Sequence, residues 1–348
     1  MNIVLIPIIT LIVLFLTWVI IPKKYVERFF GKKQNPAEIL KYIGVIVGSI
    51  IVICTLYNAN ETNNLTRKGQ LDNRFIEASK LLSSENNFEN ISGVYTLNRI
   101  AKEASTDESQ KGYSVLIKEI LFTFLRENSD PILKDDILIK VQCRKKKFVF
   151  QQIIKLLFDK ENDFYMSSDR DLSSCCFSEL SLENFNFNGF VLVSSDFSDS
   201  NLEKSTFDNS TLLGSIMVSC NLKSASLKNV ELDLVNLEQA YLSNANLSNS
   251  DLYQANMNSV ILDSANLSNS NLIRADLRNA SIRKVNLSNT NFSFADLRGA
   301  DFSDAILSNT DFSYAIIDKT TNFKNTKLEK YPISRITESG NSKKLTKN

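Results

Sequence analysis

A chain of 348 residues with 40 Lys plus Arg against 39 Asp plus Glu has a formal charge of +1, so its overall charge names no partner. It has no histidine, which removes the commonest general base and the commonest transition-metal ligand, and with them most hydrolytic triads and zinc sites. The length accommodates two or three domains, and shifts in composition divide it into three regions and a tail.

The first predicted elements are two apolar runs. Residues 3–21 are interrupted only by Pro7, Thr10 and Thr17, a length that crosses a bilayer. The second run, Tyr42 to Tyr57, reaches that length if Ile39 and Leu40 join it and Lys41 snorkels. A signal peptide fits less well, because no charged residue precedes Ile3, no small-residue cleavage site follows, and another apolar run comes next. Residues 1–58 are therefore expected to form a transmembrane hairpin with spans at about 3–22 and 39–57. That reading makes the chain a two-span protein of a bacterial cell membrane, with the lipid bilayer as one partner. Gly44 and Gly48 have the G-x-x-x-G spacing of packed membrane helices, although glycine is common in membrane helices in any case. The loop between the spans carries Lys23, Lys24, Arg28, Lys32, Lys33 and Lys41 against Glu27 and Glu38, which places the loop in the cytoplasm. The cysteines point the other way. Cys54, Cys143, Cys175, Cys176 and Cys220 are odd in number and form no C-x-x-C pair, so a disulfide framework is not expected and a reducing compartment suits the large C-terminal part. The side of the membrane stays undecided.

Residues 61–160 read as a helical module. Apolar residues recur at helical spacing in Leu71, Phe75, Ala78 and Leu82, then in Ile91, Val94, Leu97 and Ala101. Three further stretches follow, Val115 to Leu125, Ile132 to Val141 with Pro131 in the first turn, and Val149 to Phe158. Five short helices imply a small bundle or a HEAT-like stack. Arg144, Lys145, Lys146 and Lys147 form a candidate basic patch for anionic lipid or nucleic acid; the competing account is a solvated helix end whose cations favour the last carbonyls. Arg74 and Arg99 are candidates for a buried salt bridge or a partner contact.

Residues 165–325 obey a period of five. From Leu172 to Ile317 every fifth residue is Leu, Phe, Met or Ile, as in Phe177, Phe187, Phe197, Leu247, Leu267 and Leu277. Five residues advance an α-helix by about 500°, which scatters the apolar side chains, and in a strand they alternate between faces. The chain must therefore turn once per repeat. Two residues before each apolar position, from Ser195 to Ala315, stands only Ala, Ser, Thr, Cys or Val. One large and one small side chain per unit then point inward, and the other three positions face water. Cys175 falls on a small inward site and Cys176 on its outward neighbour.

Runs such as Ala245-Asn246-Leu247 and Ala275-Asp276-Leu277 resemble the pentapeptide-repeat family, whose consensus is A-(D/N)-L-x-x. The resemblance implies an all-β, right-handed quadrilateral β-helix of four repeats per coil. Thirty units then make about seven and a half coils, roughly 36 Å long at about 4.8 Å per coil. Phe recurs every ten residues at both ends, in Phe177 to Phe207 and in Phe292, Phe302 and Phe312. On a four-sided coil Phe177 is expected to stack beneath Phe197, and Phe292 beneath Phe312. The middle region also resembles bacterial membrane-tethered members of this family, through Gly69, Gln70, Arg74, Phe75, Ala78 and Leu81, and then Gly93, Tyr95, Leu97, Arg99, Ile100 and Ala101. Beyond Ile317 the register slips: Asn322 stands where an apolar residue is due and Phe323 comes one late. An insertion near Thr320-Thr321 is expected to cap the rod, with 326–348 as a mobile polar tail.

No glycine-rich phosphate loop, G-x-S-x-G elbow or metal-spaced cluster occurs, and carboxylate pairs such as Asp135-Asp136 or Glu231 and Asp233 sit in polar surroundings. No catalytic residue, metal or cofactor is expected. The preferred expectation is a non-enzymatic, membrane-anchored scaffold for an unidentified protein partner, its oligomeric state left open. Alternatives are a membrane effector in bacterial stress or phage defence, and a mimic of duplex DNA that occupies DNA gyrase, as the resemblance implies for some soluble members. From Met166 to Asn325 nineteen acidic residues exceed eleven basic ones, but the outer surface is mainly neutral Ser and Asn. Nucleic acid itself is not expected as a partner.

Overall fold

The computed structural model describes residues 36–107, 110, 112–129, 140–158, 170–326 and 337–338, with side chains from 48 onward in the first helix and from 145 onward in the last. Its contacts separate two compact units, Met1–Ile76 and Glu77–Asn348. The elements are helices α1 (Pro36–Leu82), α2 (Asn87–Ser105), α3 (Gly112–Glu127) and α4 (Lys140–Leu157), a rod of single-residue bridges, and the two-residue strands β1 (Ile316–Ile317) and β2 (Thr337–Glu338). Of the five helices expected between 61 and 160, the one over Ile132 to Val141 falls largely outside the described residues.

Helix α1 corrects the expected hairpin. It is a single helix of 47 residues with no break at 58–61, where the second span was to end and the helical module to begin. Thr55 and Thr66 donate their hydroxyls to the carbonyls of Ile51 and Thr62 (2.7 and 2.8 Å), the back-bonding that lets a threonine sit inside a helix. Among the described residues no helix is long and apolar enough to cross a membrane, and this overturns the two-span cell-membrane localisation. The continuous apolar run of α1 ends at Tyr57. Asn58, Asn60, Glu61 and Thr62 follow. The other expected span, 3–22, and the basic loop from Lys23 to Lys33 lie outside the described residues.

In the second unit the end of α1 turns into α2 through a capped corner. Asn86 is the N-cap, its side-chain oxygen accepting from Phe88 N at 2.9 Å. Buried Asn90 donates its amide to the carbonyls of Leu82 and Ser84, both at 2.7 Å, satisfying groups that the end of α1 leaves open. Leu97, Ile100 and Ala101 are fully buried in the module, along with Ile117, Leu121 and Leu125 of α3 and Ile153 of α4. Arg99, considered above for a buried salt bridge, instead makes an exposed i,i+4 pair with Glu103 at 3.1 Å, an interaction worth little. Gly93 has a steric role. A Cβ there would stand 2.7 Å from both Ala78 O and Leu82 N, and backbone atoms cannot step aside.

The rod advances twenty residues per coil. Parallel bridges join Asp171 to Val191, Cys176 to Asp196, and so on without a slip to Asp296 and Ile316. The central residue donates its N–H to the next coil, as Leu172 does to Val191 O (2.8 Å), and the bridging residue donates to the coil before, as Val191 does to Arg170 O (3.0 Å). Each repeat from Leu172 to Phe312 closes with a turn whose second residue, from Ser174 to Tyr314, has φ between +55° and +73°. This left-handed region costs most residues about 1–2 kcal/mol and favours Gly and Asn, which is why Asn recurs there. The Asn or Asp at the bridging position also serves the backbone: Asn246 Oδ1 accepts from Ser248 N (3.1 Å) and from Asn266 Nδ2 of the next coil (3.3 Å). Inside, rings twenty residues apart stack, Phe177 on Phe197 at 4.7 Å and Phe292 on Phe312 at 5.4 Å. Rings ten apart meet edge-on across the core, as Phe187 and Phe197 do at 82°. This is the four-sided arrangement expected from the spacing of Phe.

At the C-terminal end the bridge spacing lengthens to 21, from Asp301 to Asn322. The added residue is absorbed at Asp318, whose carboxylate accepts from Thr320 Oγ1 (2.6 Å) and from the backbone N–H groups of Thr320 (2.9 Å) and Gly299 (3.3 Å). Phe323 then stacks on Phe302 at 4.9 Å. The tail is not wholly outside the fold, because Thr337–Glu338 pair in parallel with Ile316–Ile317.

Two outcomes follow from these contacts. Gly93→Ala gains helix propensity of about 1 kcal/mol but meets backbone on two sides, and overpacking of that kind costs about 1–3 kcal/mol; urea denaturation is expected to show a net loss of stability. The Asp318 carboxyl is held at about 2, below its ordinary 3.8, chiefly by the Thr320 hydroxyl and against partial burial. Its folded pKa is depressed, so its stabilisation is complete above the unfolded value and is lost as pH falls through the folded one. Asp318→Asn should be less stable than wild type at pH 7 in thermal melts, the difference shrinking between pH 4 and pH 2.

Candidate functional site

The functional architecture centres on the place where the helical module meets the first coil. A bridging N–H in the rod donates to the coil before it, and the first coil has no such coil. Helix α4 and the end of the α3 segment supply the missing partners. Ser181 N donates to Gln151 Oε1 and Gln151 Nε2 donates to Ser181 O, both at 2.8 Å, so one side-chain amide reproduces the two bonds of a strand. Cys176 N donates to Ser129 Oγ at 2.8 Å. Lys147 Nζ pairs with Glu179 Oε2 at 2.9 Å. Beneath the coil Phe158 lies 4.8 Å from the ring of Phe187, 5.2 Å from Phe190 and 5.7 Å from Phe185. Gln151, Ser129 and Phe158 were not singled out from sequence. The available signal was the first coil itself, where Leu180, Phe185 and Phe190 occupy sites that hold only small residues later.

The run from Arg144 to Lys147 does not act as one group. Lys146 Nζ donates to Asn90 Oδ1 at 2.6 Å and approaches the carbonyls of Ser84 and Glu85 at 3.4 Å, Lys147 reaches the rod, and Lys145 is exposed. The side chain of Arg144 lies outside the description. Gly44 and Gly48 both fall in α1, and a Cβ at Gly48 would meet nothing within 4 Å. Beside Lys145 and Lys146 a cavity of about 550 Å³ opens between the end of α1, α3 and the start of α4, with Glu119, Thr123, Phe124 and Glu127 on its wall. It offers carboxylates and ammonium groups around one aromatic ring, a mixed lining that suits a polar segment of protein.

Elsewhere the reactive groups are quenched. Burial pushes the Cys175 thiol up to about 12 and raises that of Cys220, which removes the thiolate a nucleophile needs. Cys176 is disulfide-bonded, while Cys54 and Cys220 are free, so a bridge occurs without the framework that the sequence argued against. Cys175 is a free thiol, so the two neighbours are not joined to each other. Along the rod, Arg278 pairs with Asp276 and Arg298 with Asp296, each at 2.5 Å, and Arg283 pairs with Asp263. Partial burial pushes the Asp263 carboxyl up, but hydrogen bonds from Arg283 and Ser281 outweigh it and hold it below the ordinary value. Among the described residues no group of three or more His, Cys, Asp or Glu side chains is arranged to hold a metal ion.

A four-sided β-helix built on five-residue units, with its bridging Asn or Asp, defines a class of repeat protein. The sequence profile of the pentapeptide repeats matches residues 175–214, 220–258, 261–293 and 286–321, and this part of the chain is a pentapeptide-repeat domain. Similar solved structures include HetL, a pentapeptide repeat protein involved in heterocyst differentiation regulation from the cyanobacterium Nostoc sp. strain PCC 7120. It is 28% identical, over 46% of this chain and 78% of that one, with a TM-score of 0.23. QnrB1, a plasmid-mediated fluoroquinolone resistance protein, is 17% identical over 50% of this chain and 85% of that one (TM-score 0.27). Rfr23 from the cyanobacterium Cyanothece 51142 is 24% identical over 44% and 91% (TM-score 0.16). No curated protein matches the chain.

Removing the amide clamp tests the junction. Gln151→Leu strands Ser181 N and O, at a cost of about 1–3 kcal/mol. Because a coil contacts only its neighbours, amide hydrogen exchange should quicken through the first coil around Ser181 and stay unchanged at Leu262 and beyond.

Proposed function

We infer that this protein is a non-enzymatic scaffold that binds protein partners, presenting surfaces on a stiff repeat rod and on the helical module fastened to its first coil. The observation that carries this reading is the junction. The Gln151 clamp, the Lys147–Glu179 pair and the Phe158 ring hold module and rod together, and two surfaces held at one separation are what a scaffold needs. The cavity beside Glu119 and Glu127 gives the module a concave surface for a partner segment. Burial of Cys175 and Cys220, and the pairing of rod carboxylates with arginines, leave packing and recognition as the uses these residues support best. The acidic excess of the rod does not favour mimicry of duplex DNA, because Asp263, Asp276 and Asp296 are each paired with an arginine along its surface. The expected bilayer partner lacks support, since among the described residues no helix is long and apolar enough to cross a membrane.

A photo-crosslinking residue placed at Thr123 on the cavity wall, in the full chain expressed in cells, should yield a discrete adduct with one protein. Reversing Glu119 and Glu127 to lysine should remove the adduct while circular dichroism stays unchanged. Equal, diffuse labelling from Thr123 and from Asn249, on a corner of polar turns, would count against the scaffold reading.

A further inference from the structure

The rod's four corners are not chemically alike. Residues twenty apart share a corner, and three corners carry chiefly Ser, Asn, Asp, Glu, Lys and Arg at the two turn positions. The fourth has Leu234, Arg274, Phe294 and Tyr314 at its left-handed positions, with φ of 58°, 60°, 63° and 60°. Leu234, Phe294 and Tyr314 remain 55%, 51% and 48% exposed. Phe294 stacks on Tyr314 at 4.9 Å, and the Arg274 guanidinium lies 6.0 Å from the centre of the Phe294 ring. On the other corners this position holds only polar residues or Gly, most often Asn, whereas here four of the eight are Leu, Arg, Phe and Tyr, large side chains that the single rod leaves largely exposed. Aromatic residues and arginine are the side chains that dominate protein interfaces.

Along this corner the residues are complementary about Tyr253 and Gln254. One coil toward the N-terminus stand Asp233 and Leu234; one coil toward the C-terminus stand Ile273 and Arg274. Two coils away, Leu213 and Gly214 on one side answer Ser293 and Phe294 on the other, and a Cβ at Gly214 would meet only Ser194 Oγ, at 3.8 Å, so the space above it is open. Three coils away Val193 answers Tyr314. Partial burial, with Asp251 and Glu231 close by, raises the Asp233 carboxyl, and such an acidic half of the corner is stabilised by a cation.

We propose that this corner binds a second copy of the chain lying antiparallel, with the twofold axis at Tyr253 and Gln254. Arg274 of each copy then meets Asp233 of the other, and Phe294 of each lies over Gly214 and beside Leu213. The same patch serves on both copies, as a closed twofold interface requires. A parallel arrangement is disfavoured, because it sets Asp233 against Asp233 and Arg274 against Arg274.

Sedimentation of the full chain across a dilution series is expected to show a monomer–dimer equilibrium. Arg274→Asp and Asp233→Arg should each weaken it by on the order of tenfold or more, and the double variant should restore it. Phe294→Asn places a residue well suited to the left-handed position, so the rod keeps its stability while dimerisation falls. Gln254→Cys should crosslink copies under oxidation, whereas Ser194→Cys should not, since an antiparallel pair separates those residues by about 29 Å at about 4.8 Å per coil. A chain that stays monomeric overturns the proposal. So does a double charge reversal no better than the single ones, or crosslinking at Ser194 equal to that at Gln254.

Discussion

Each coil of the rod is completed by its neighbours. The N–H of a bridging residue finds its acceptor one coil back, and the carbonyl beside it waits for a donor from elsewhere in the stack. Such a structure propagates readily but cannot end without leaving backbone groups open. The two ends of this chain meet that demand differently. At the start, a helical module offers a side-chain amide from Gln151, a hydroxyl from Ser129 and a ring from Phe158, so a separate fold takes the place of the missing coil. At the finish, the coil itself is altered: one extra residue at the Asp318 turn shifts the register, Phe323 still covers Phe302, and β2 adds a last pairing to β1.

The same backbone demand governs the outer surface. The Asn and Asp at bridging positions accept from the turn two residues on and form ladders with the coils above and below, as Asn236 and Asn256 do at 3.0 Å. Arginines such as Arg278 fold back onto the carboxylate of their own repeat. Polar residues that look like a solvated coat are therefore largely committed to holding turns in shape. This sharpens the meaning of exceptions. A Leu or Phe at a turn position forgoes the left-handed preference of Asn without a compensating contact inside the coil.

Much of the rod was legible in the sequence because its two inward sites impose a period that nothing else explains. The stacking of Phe177 on Phe197 follows from arithmetic on that period once four repeats make a coil. The conformation of the turn residue was not legible, since Ser, Asn, Lys and Gln at Ser174, Asn184, Lys204 and Gln239 share polarity and otherwise have little in common. At the N-terminal side the reading failed for a different reason. Apolar composition was used to end one element at Tyr57 and polarity to begin another at Glu61, yet backbone hydrogen bonding is indifferent to that change and α1 continues through it. The junction was hidden because its residues come from distant parts of the chain. Gln151 and Ser181 are thirty residues apart in sequence, and only the oversized Leu180, Phe185 and Phe190 marked the coil end that needed cover.

Nearest-neighbour stability also determines what the rod can tolerate. A strained turn at Phe294 raises the free energy of its own coil and, through stacking, that of Tyr314, while the coils around Phe177 are unaffected. From Leu172 to Phe302 the central Leu and Phe are fully buried and tie each face to the next, so they have little freedom to change. The turn positions of a corner do have that freedom. A repeat protein of this shape can therefore concentrate unusual side chains on one corner, at a cost that stays local, and leave the remaining corners to satisfy the backbone. The gathering of Leu234, Arg274, Phe294 and Tyr314 on one corner uses this tolerance, and the helical module at the first coil keeps the backbone intact while it does so.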